Sequence, residues 1–252
     1  MQVGFFFWPY TPELCERLAE RADHYGYAMI GIADTPGNAM DPWVSAAIVA
    51  RSSRRARVAI CVTNLLTRHP AVSAAAIASL DNISGGRATL GLGAGHSGTK
   101  NVGLAKSRAE ELADGVTFIK TLLQGKPAAL AGASAHLPWI KRAPPVFLAG
   151  YVIGNKRLET RGVPEALRAP LLELHARYST RPGEADIKLV QELGLFDYLS
   201  RRLSICGNPD DCLAQALAAK AAGAERLMLT ISLAADPVRT VELFGEHVLP
   251  KL

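Results

Sequence analysis

Residues 56–97, ARVAICVTNLLTRHPAVSAAAIASLDNISGGRATLGLGAGHS, leave few folds open to this chain. A β-branched apolar run at 57–62 reads as a strand. A polar loop follows at 63–69, and Pro70 takes a first helical position, where its fixed φ fits and its missing N–H costs nothing. Residues 71–80 are almost all Ala, Val, Ile and Leu, so this helix packs flat against another surface. Ser84, Gly85 and Gly86 make a tight turn, and 88–92 form a second apolar strand. Two nearly continuous apolar strands joined by a helix are what a parallel sheet covered by helices requires. Both strands run into polar or Gly-rich loops at their carboxyl ends, the side where α/β proteins gather their ligands.

The flanking sequence repeats the rhythm. Residues 3–7 read as a strand, and Thr11 caps a helix with Pro12 at its first position and Gly26 at its end. A second strand at 28–33 closes on Asp34, and a helix spans 42–53. Beyond the central stretch, 104–123 form a long amphipathic helix and 146–150 (VFLAG) a fifth strand, with no hairpin signal between them. Strictly alternating strands and helices mean a βα-barrel or a doubly wound sheet. After Gly150 the rhythm breaks: 162–199 read as helical with Pro164, Pro170 and Pro182 as punctuation. A short apolar run at 203–206, a helix at 210–222 capped by Asn208, a strand at 226–232 and a helix from Asp236 complete the chain. One domain over 1–252 is expected, with strands one to five in 1–150 and a helical insertion plus the last barrel elements in 151–252.

A chain of 252 residues that is 49% hydrophobic buries a large core, and 20% charged residues is too few for disorder. Its net charge of +5 does not point to nucleic acid, because the cations are scattered apart from the cluster at 51–57, which closes a helix. Cys15, Cys61, Cys206 and Cys212 follow neither a disulfide nor a zinc spacing and read as reduced thiols. The N-terminus opens on a strand without a basic-then-apolar leader, and no apolar run is long enough to span a membrane. The expected location is the cytoplasm.

Candidate chemistry gathers at the strand ends. Asp34 is either a turn residue bonding local backbone or a functional carboxylate. Thr63 and Asn64 either hydrogen-bond a heteroaromatic edge or start a loop, and His69 neighbours a helix cap or touches ligand. His96 ends the fourth strand, where an imidazole can act as acid, base or anion ligand. The other histidines, His24, His136, His175 and His247, read as structural or surface groups. Residues 93–98 match GxGxxG, but after the fourth strand and about six residues ahead of the next predicted helix. A Gly-rich strand end explains it, with an NAD(P)-binding Rossmann fold as the rival. No Ser-His-Asp order, HExxH or P-loop lysine is present, so a cofactor is expected to bring the chemistry.

The stretch VTNLLTRHPAVSAAAIASLDNISGGRATLGLGAG resembles the bacterial-luciferase-like superfamily of flavin- or F420-dependent oxidoreductases, in its methylenetetrahydromethanopterin-reductase-like branch. The likeness extends to DPW at 41–43, GVPEALRAPLLELHARY at 162–178, LVQELGLFDYL at 189–199, CGNPDDC and the closing FGEHVLPKL. It implies a TIM (β/α)8-type barrel holding F420 or FMN at the carboxyl ends of its strands, a small-molecule substrate and a homodimer. It also implies a non-prolyl cis peptide at Cys61-Val62, cofactor contacts from Cys61, Val62, Thr63, Asn64, Gly95, His96 and Ser97, and catalytic roles for His96 and Asp34. Two departures stand out. Many relatives carry an acidic residue at the position of His96. In this chain, about two βα units are missing after strand five, with the segment that relatives use to hold the cofactor phosphate. That leaves strands five and eight as edges to be covered. A shortened barrel that keeps its cofactor, an edge closed by a partner subunit, and a longer parent chain lacking residues at the Gly150–Tyr151 join all satisfy this reading, as does a flavin-binding relative without turnover.

Overall fold

The computed structural model describes residues 1–148, 162–178, 187–232 and 234–252. Strand β1 (Gln2–Phe7) leads through helix α1 (Pro12–Tyr25) to β2 (Met29–Ile32), then α2 (Pro42–Ser52), β3 (Arg57–Thr63), α3 (Pro70–Ser84) and β4 (Ala88–Leu92). A helical turn α4 (Ser97–Lys100), helix α5 (Ala109–Leu123), a hairpin of β5 (Ala128–Leu130) and β6 (Ala133–Ala135), and strand β7 (Val146–Leu148) follow. The remainder is α6 (Glu165–Arg177), α7 (Ile187–Glu192), α8 (Phe196–Leu203), α9 (Pro209–Ala221), β8 (Arg226–Thr230) and α10 (Pro237–His247). Among the described residues, no helix is long and apolar enough to cross a membrane.

Local chemistry sets the helix ends. The Thr11 hydroxyl accepts from the Leu14 amide (3.1 Å), and Gly26 ends α1 at φ 81°, a conformation that costs a side-chain-bearing residue far more. Asp41 caps α2 through the amides of Trp43 (2.9 Å) and Val44 (3.0 Å). His69 proves to be the cap of α3 itself, its Nδ1 accepting from the Ala71 amide (3.2 Å).

The main sheet has six strands in the order β7-β4-β3-β2-β1-β8, each parallel to its neighbour. This is the expected barrel with units missing: β7 and β8, the predicted fifth and last strands, are its two edges. Alternation along each strand sorts the side chains. Phe5, Phe7, Ile30, Ile32, Ile60 and Leu90 point to the helices and are fully buried. The opposite face is built small: a Cβ on Gly31 would fall 2.8 Å from Phe6 Cβ, and one on Gly91 2.5 Å from the Phe147 ring. Glycine there lets the large side chains of neighbouring strands lie flat across the sheet.

Three expectations are corrected. The hairpin β5–β6 occupies a stretch where no hairpin was expected, because its turn uses Ala131 (φ 49°) and Gly132 (φ 82°) rather than the usual Asn-Gly signal. The long helix begins at Ala109, not residue 104, with α4 placed ahead of it. Leu203 ends α8, and the run 203–206 is no strand. Residues 149–150 of the fifth strand and 179–186 of the helical stretch lie outside the described residues.

At the amino ends of the strands, side-chain hydrogen bonds to the backbone tie the layers together. Arg87 donates from Nη2 to the carbonyls of Ala50 (3.0 Å) and Ser53 (2.7 Å) at the end of α2, and from Nε to Ser84 (2.8 Å) at the end of α3. Its Nη1 reaches the Ala56 carbonyl at the entrance to β3. The Asp23 carboxylate accepts from the amides of Arg54, Arg55 and Ala56 and the Ser53 hydroxyl. Burial pushes its pKa up, but those donors outweigh it and hold it below the usual value. Arg87→Met keeps the apolar stem and removes every donor, so an unfolding free energy lower by about 3 kcal/mol is expected in urea titration. Arg87→Lys should recover only part of it, since one ammonium cannot span both helix ends and the strand.

Candidate active site

The loops that leave β2, β3 and β4 meet at the carboxyl end of the sheet. Thr63, the last residue of β3, is buried and donates its hydroxyl to Asp34 Oδ2 at 2.5 Å. Burial pushes the Asp34 pKa up, and the nearby Asp41 adds to it, against the Thr63 hydrogen bond and the charge of Arg68. Asp34 is thus more readily protonated than a solvent carboxylate, which suits it to hold a proton at its Oδ atoms.

Asn64 follows, also buried. Its Oδ1 accepts from the amides of Leu66 (2.9 Å) and Thr67 (2.9 Å) and the Thr67 hydroxyl (3.2 Å), so its carbonyl shapes its own loop. The Cys61-Val62 peptide is cis, and the pairing of β3 with β4 shifts register between Ile60 and Thr63. Cys61 lies on the glycine-lined face of the sheet beside Gly31, and burial pushes its thiol up to about 11, which leaves no thiolate at neutral pH.

The loop after β4 docks onto this pair. A Cβ on Gly98 would fall 2.8 Å from the Asp34 carbonyl, so only glycine allows that approach. Gly95 (φ 91°) makes room for Thr99, whose hydroxyl donates to the His96 carbonyl (3.1 Å). Asn101 Nδ2 donates to the Pro36 carbonyl (3.0 Å) and to Asn38 Oδ1 (3.1 Å), joining the β4 loop to the β2 loop. Trp8, just past β1, donates its indole N–H to Thr35 (3.2 Å) and its amide to the Ser232 hydroxyl (3.1 Å) beyond β8. Thr35, Asn38 and Asn101 carry no local signal in the sequence, because their partners lie tens of residues away.

Asp34, Thr63, Asn64 and Gly98 are therefore brought together. His96 is exposed on the β4 loop immediately before Ser97, the first residue of α4. Burial of its ring, then the charges of His175, Lys100 and Lys106, lower its pKa, so it is neutral at pH 7 in a positively charged neighbourhood. His175, read from sequence as surface, thus comes from α6 into the surroundings of His96. A cavity of about 570 Å³ opens at this end, walled by Asp34, Pro36, Met40, Trp43, Arg68 and Leu104. The Arg68 guanidinium lies over the Trp43 ring, 5.2 Å from its centre. Among the described residues, no group of three or more His, Cys, Asp or Glu is placed to hold a metal ion.

The dinucleotide reading of 93–98 is overturned. The sheet order runs consecutively from β4 to β1 with no reversal, so it lacks the switch point at which a Rossmann fold seats its ligand, and the helix at Ser97 has four residues.

Because the Asp34 pKa is raised on folding, its carboxyl favours the native state while protonated, and that contribution is lost as pH rises through the folded pKa. Asp34→Asn should therefore raise Tm at pH 7 by a few degrees and lose this advantage below the usual carboxylate range, read by thermal scans from pH 3 to 8.

A family model described as luciferase-like monooxygenase matches residues 11–162. A 5,10-methylenetetrahydromethanopterin reductase of Methanolobus tindarius is 36% identical over 100 residues, 39% of this chain and 30% of that protein. An F420-dependent hydroxymycolic acid dehydrogenase of Mycobacterium tuberculosis is 30% identical over 128 residues, 46% of this chain and 36% of that protein. The chain thus matches about a third of the length of each of these relatives. Among solved structures, a monooxygenase from Streptomyces bottropensis superposes with a TM-score of 0.70 at 20% identity over 100% of this chain and 99% of the other. The F420-dependent tetrahydromethanopterin reductase of Methanopyrus kandleri does so with a TM-score of 0.66 at 18% identity over 99% of each. With the family model covering more than half its length, this chain belongs to the luciferase-like monooxygenase family.

Proposed function

We propose that this chain is a flavin- or F420-dependent oxidoreductase that passes a hydride between the reduced cofactor and a small organic substrate. The observation that carries this reading is the cavity of about 570 Å³ at the strand carboxyl ends, with the partly buried Asp34 in its wall. Its size suits a heteroaromatic ligand, and its walls combine apolar and aromatic side chains with few polar groups. FMN or F420, when bound, supplies the two-electron chemistry.

The residues divide the remaining work. Cys61 to Asn64 would support the ring from the end of β3, with Gly95, His96 and Ser97 facing it from the β4 loop. The protonated thiol of Cys61 adds bulk without charge or nucleophilicity. Asp34, whose carboxyl burial makes more readily protonated, can give or take a proton at its Oδ atoms, and the neutral His96 imidazole can take one up. Lys100 and Lys106 add positive charge around His96, which would attract the anionic tail that both cofactors carry. Met40, Trp43 and Leu104 keep water from the reacting atoms. The same reading takes the protein to work in the cytoplasm as a homodimer.

Titration with FMN and with F420, followed by oxidation of the reduced cofactor, tests this. Binding of one of them in the micromolar range with turnover supports the proposal. Failure to bind either sinks it, and binding without turnover on any substrate favours the flavin-binding, non-catalytic alternative. His96→Ala is expected to lower kcat by about 100-fold or more while leaving cofactor affinity within a few-fold. Equal kcat would remove His96 from the proton path.

A further inference from the structure

The four cysteines fall into two kinds. Burial pushes the thiols of Cys15 and Cys61 up to about 11, so neither reacts readily at neutral pH. Cys206 is exposed and Cys212 half-buried, and the two flank Asn208, the cap of α9. The stretch between them, GNPDD, is folded back on itself by side-chain hydrogen bonds. The Gln215 amide nitrogen donates to the carbonyls of Cys206 (2.6 Å) and Asp211 (3.0 Å), the residue before Cys212. Its amide oxygen accepts from the Cys206 backbone N–H (3.3 Å). Cys212 Sγ donates to the carbonyl of Gly207 (3.7 Å), the residue after Cys206. Each cysteine is thus tied to the chain neighbour of the other. The rest of the loop is fixed as well. Asn208 Oδ1 accepts from the amides of Asp210 (2.9 Å) and Asp211 (3.0 Å), and the Asp211 carboxylate accepts from the Asn208 amide (3.2 Å). Gly207 makes the bend at φ 127°, where a Cβ would fall 2.7 Å from Asp211 Cβ.

We infer that Cys206 and Cys212 are a redox-active thiol pair that hydrogen peroxide closes to a disulfide and a dithiol reductant reopens. A disulfide requires Cα atoms within about 7 Å and side chains that converge, and the Gln215 and Gly207 contacts supply that approach. Because the loop is already folded, closing it costs little chain entropy. Cys206 is the exposed partner and meets the oxidant first. Its thiolate attacks one oxygen of the peroxide, the O–O bond breaks, and the sulfur becomes a sulfenic acid while the departing hydroxide takes a proton as water. The Cys212 sulfur then attacks the sulfenic sulfur, the S–O bond breaks, and a second water leaves. Two thiols and one peroxide give one disulfide and two waters, with two electrons passing from sulfur to oxygen. Burial, then the neighbouring Cys206 and Asp211, raise the pKa of Cys212, which keeps it the later of the two to react.

Peroxide treatment of the full native chain tests this without reference to cofactor or activity. After oxidation the protein is unfolded, alkylated with iodoacetamide and digested with trypsin. Residues 203–220, LSICGNPDDCLAQALAAK, then form one peptide that holds both thiols, while Cys15 and Cys61 fall on others. The expected peptide carries no alkyl group and is lighter than the reduced form by two hydrogen atoms. It should appear about ten-fold faster or more than Cys15 or Cys61 is lost, and dithiothreitol should restore both alkylation sites. A peptide that stays doubly alkylated, gains oxygen instead, or is found joined to a second chain overturns the inference. Cys212→Ser should leave Cys206 as a sulfenic acid that dimedone traps, and Cys206→Ser should leave Cys212 without an adduct. Equal trapping at both positions overturns the assigned order of attack. Should either variant fail to fold, the wild-type peptide decides alone.

Discussion

The Arg87 guanidinium is where α2, α3 and the entrance to β3 are held to one another. It takes up carbonyls that the ends of both helices would otherwise leave unpaired and, through the Ala56 carbonyl, reaches the start of a central strand. Asp23 does the complementary work from α1, satisfying the amides of the turn that enters β3. These groups lie at the amino ends of the strands, opposite the candidate site. With the layers fixed there, the loops at the other end can be built for chemistry, with glycines, short helical turns and a partly buried carboxylate.

The candidate site has an uneven field. On the side of β2, Asp34 and Asp41 place two carboxyls near each other, eased by Arg68 and the Thr63 hydroxyl. On the side of β4, His96 stands among Lys100, Lys106 and His175. A ligand with an anionic tail and a proton-exchanging ring would be oriented by that gradient before any specific contact formed. The raised pKa of Asp34 and the lowered pKa of His96 bring a carboxyl and an imidazole toward one another in proton affinity.

The open sheet changes what its inner face must do. A closed barrel fills its interior with side chains from all its strands. Here Met228 from the edge strand β8 lies against Gly4 and Gly31, and Phe147 from the other edge lies across Gly91. Large residues on the edges thus fold back over glycines on the central strands.

Much of this was legible in the sequence because it is local. Thr11, Pro12 and Gly26 bound α1 within one helix length, Asn208 caps α9 with its own neighbours, and the apolar runs mark all six strands of the main sheet. The break after residue 150 foretold an open sheet with the fifth and last strands at its edges, since a strand count depends on pattern alone. The hairpin at β5–β6 escaped, because the handedness of its turn is imposed on Ala131 by the strands around it. The bridges from Thr63 to Asp34 and from Asn101 to the β2 loop also escaped, because each joins residues 29 to 65 positions apart. The sequence by itself determined which segments are strands and helices and which ends carry polar groups, for these follow from side-chain period and capping. Only the tertiary structure decided which polar groups meet, and which side of an all-apolar helix is left facing water, because burial is a property of neighbours and not of the residue.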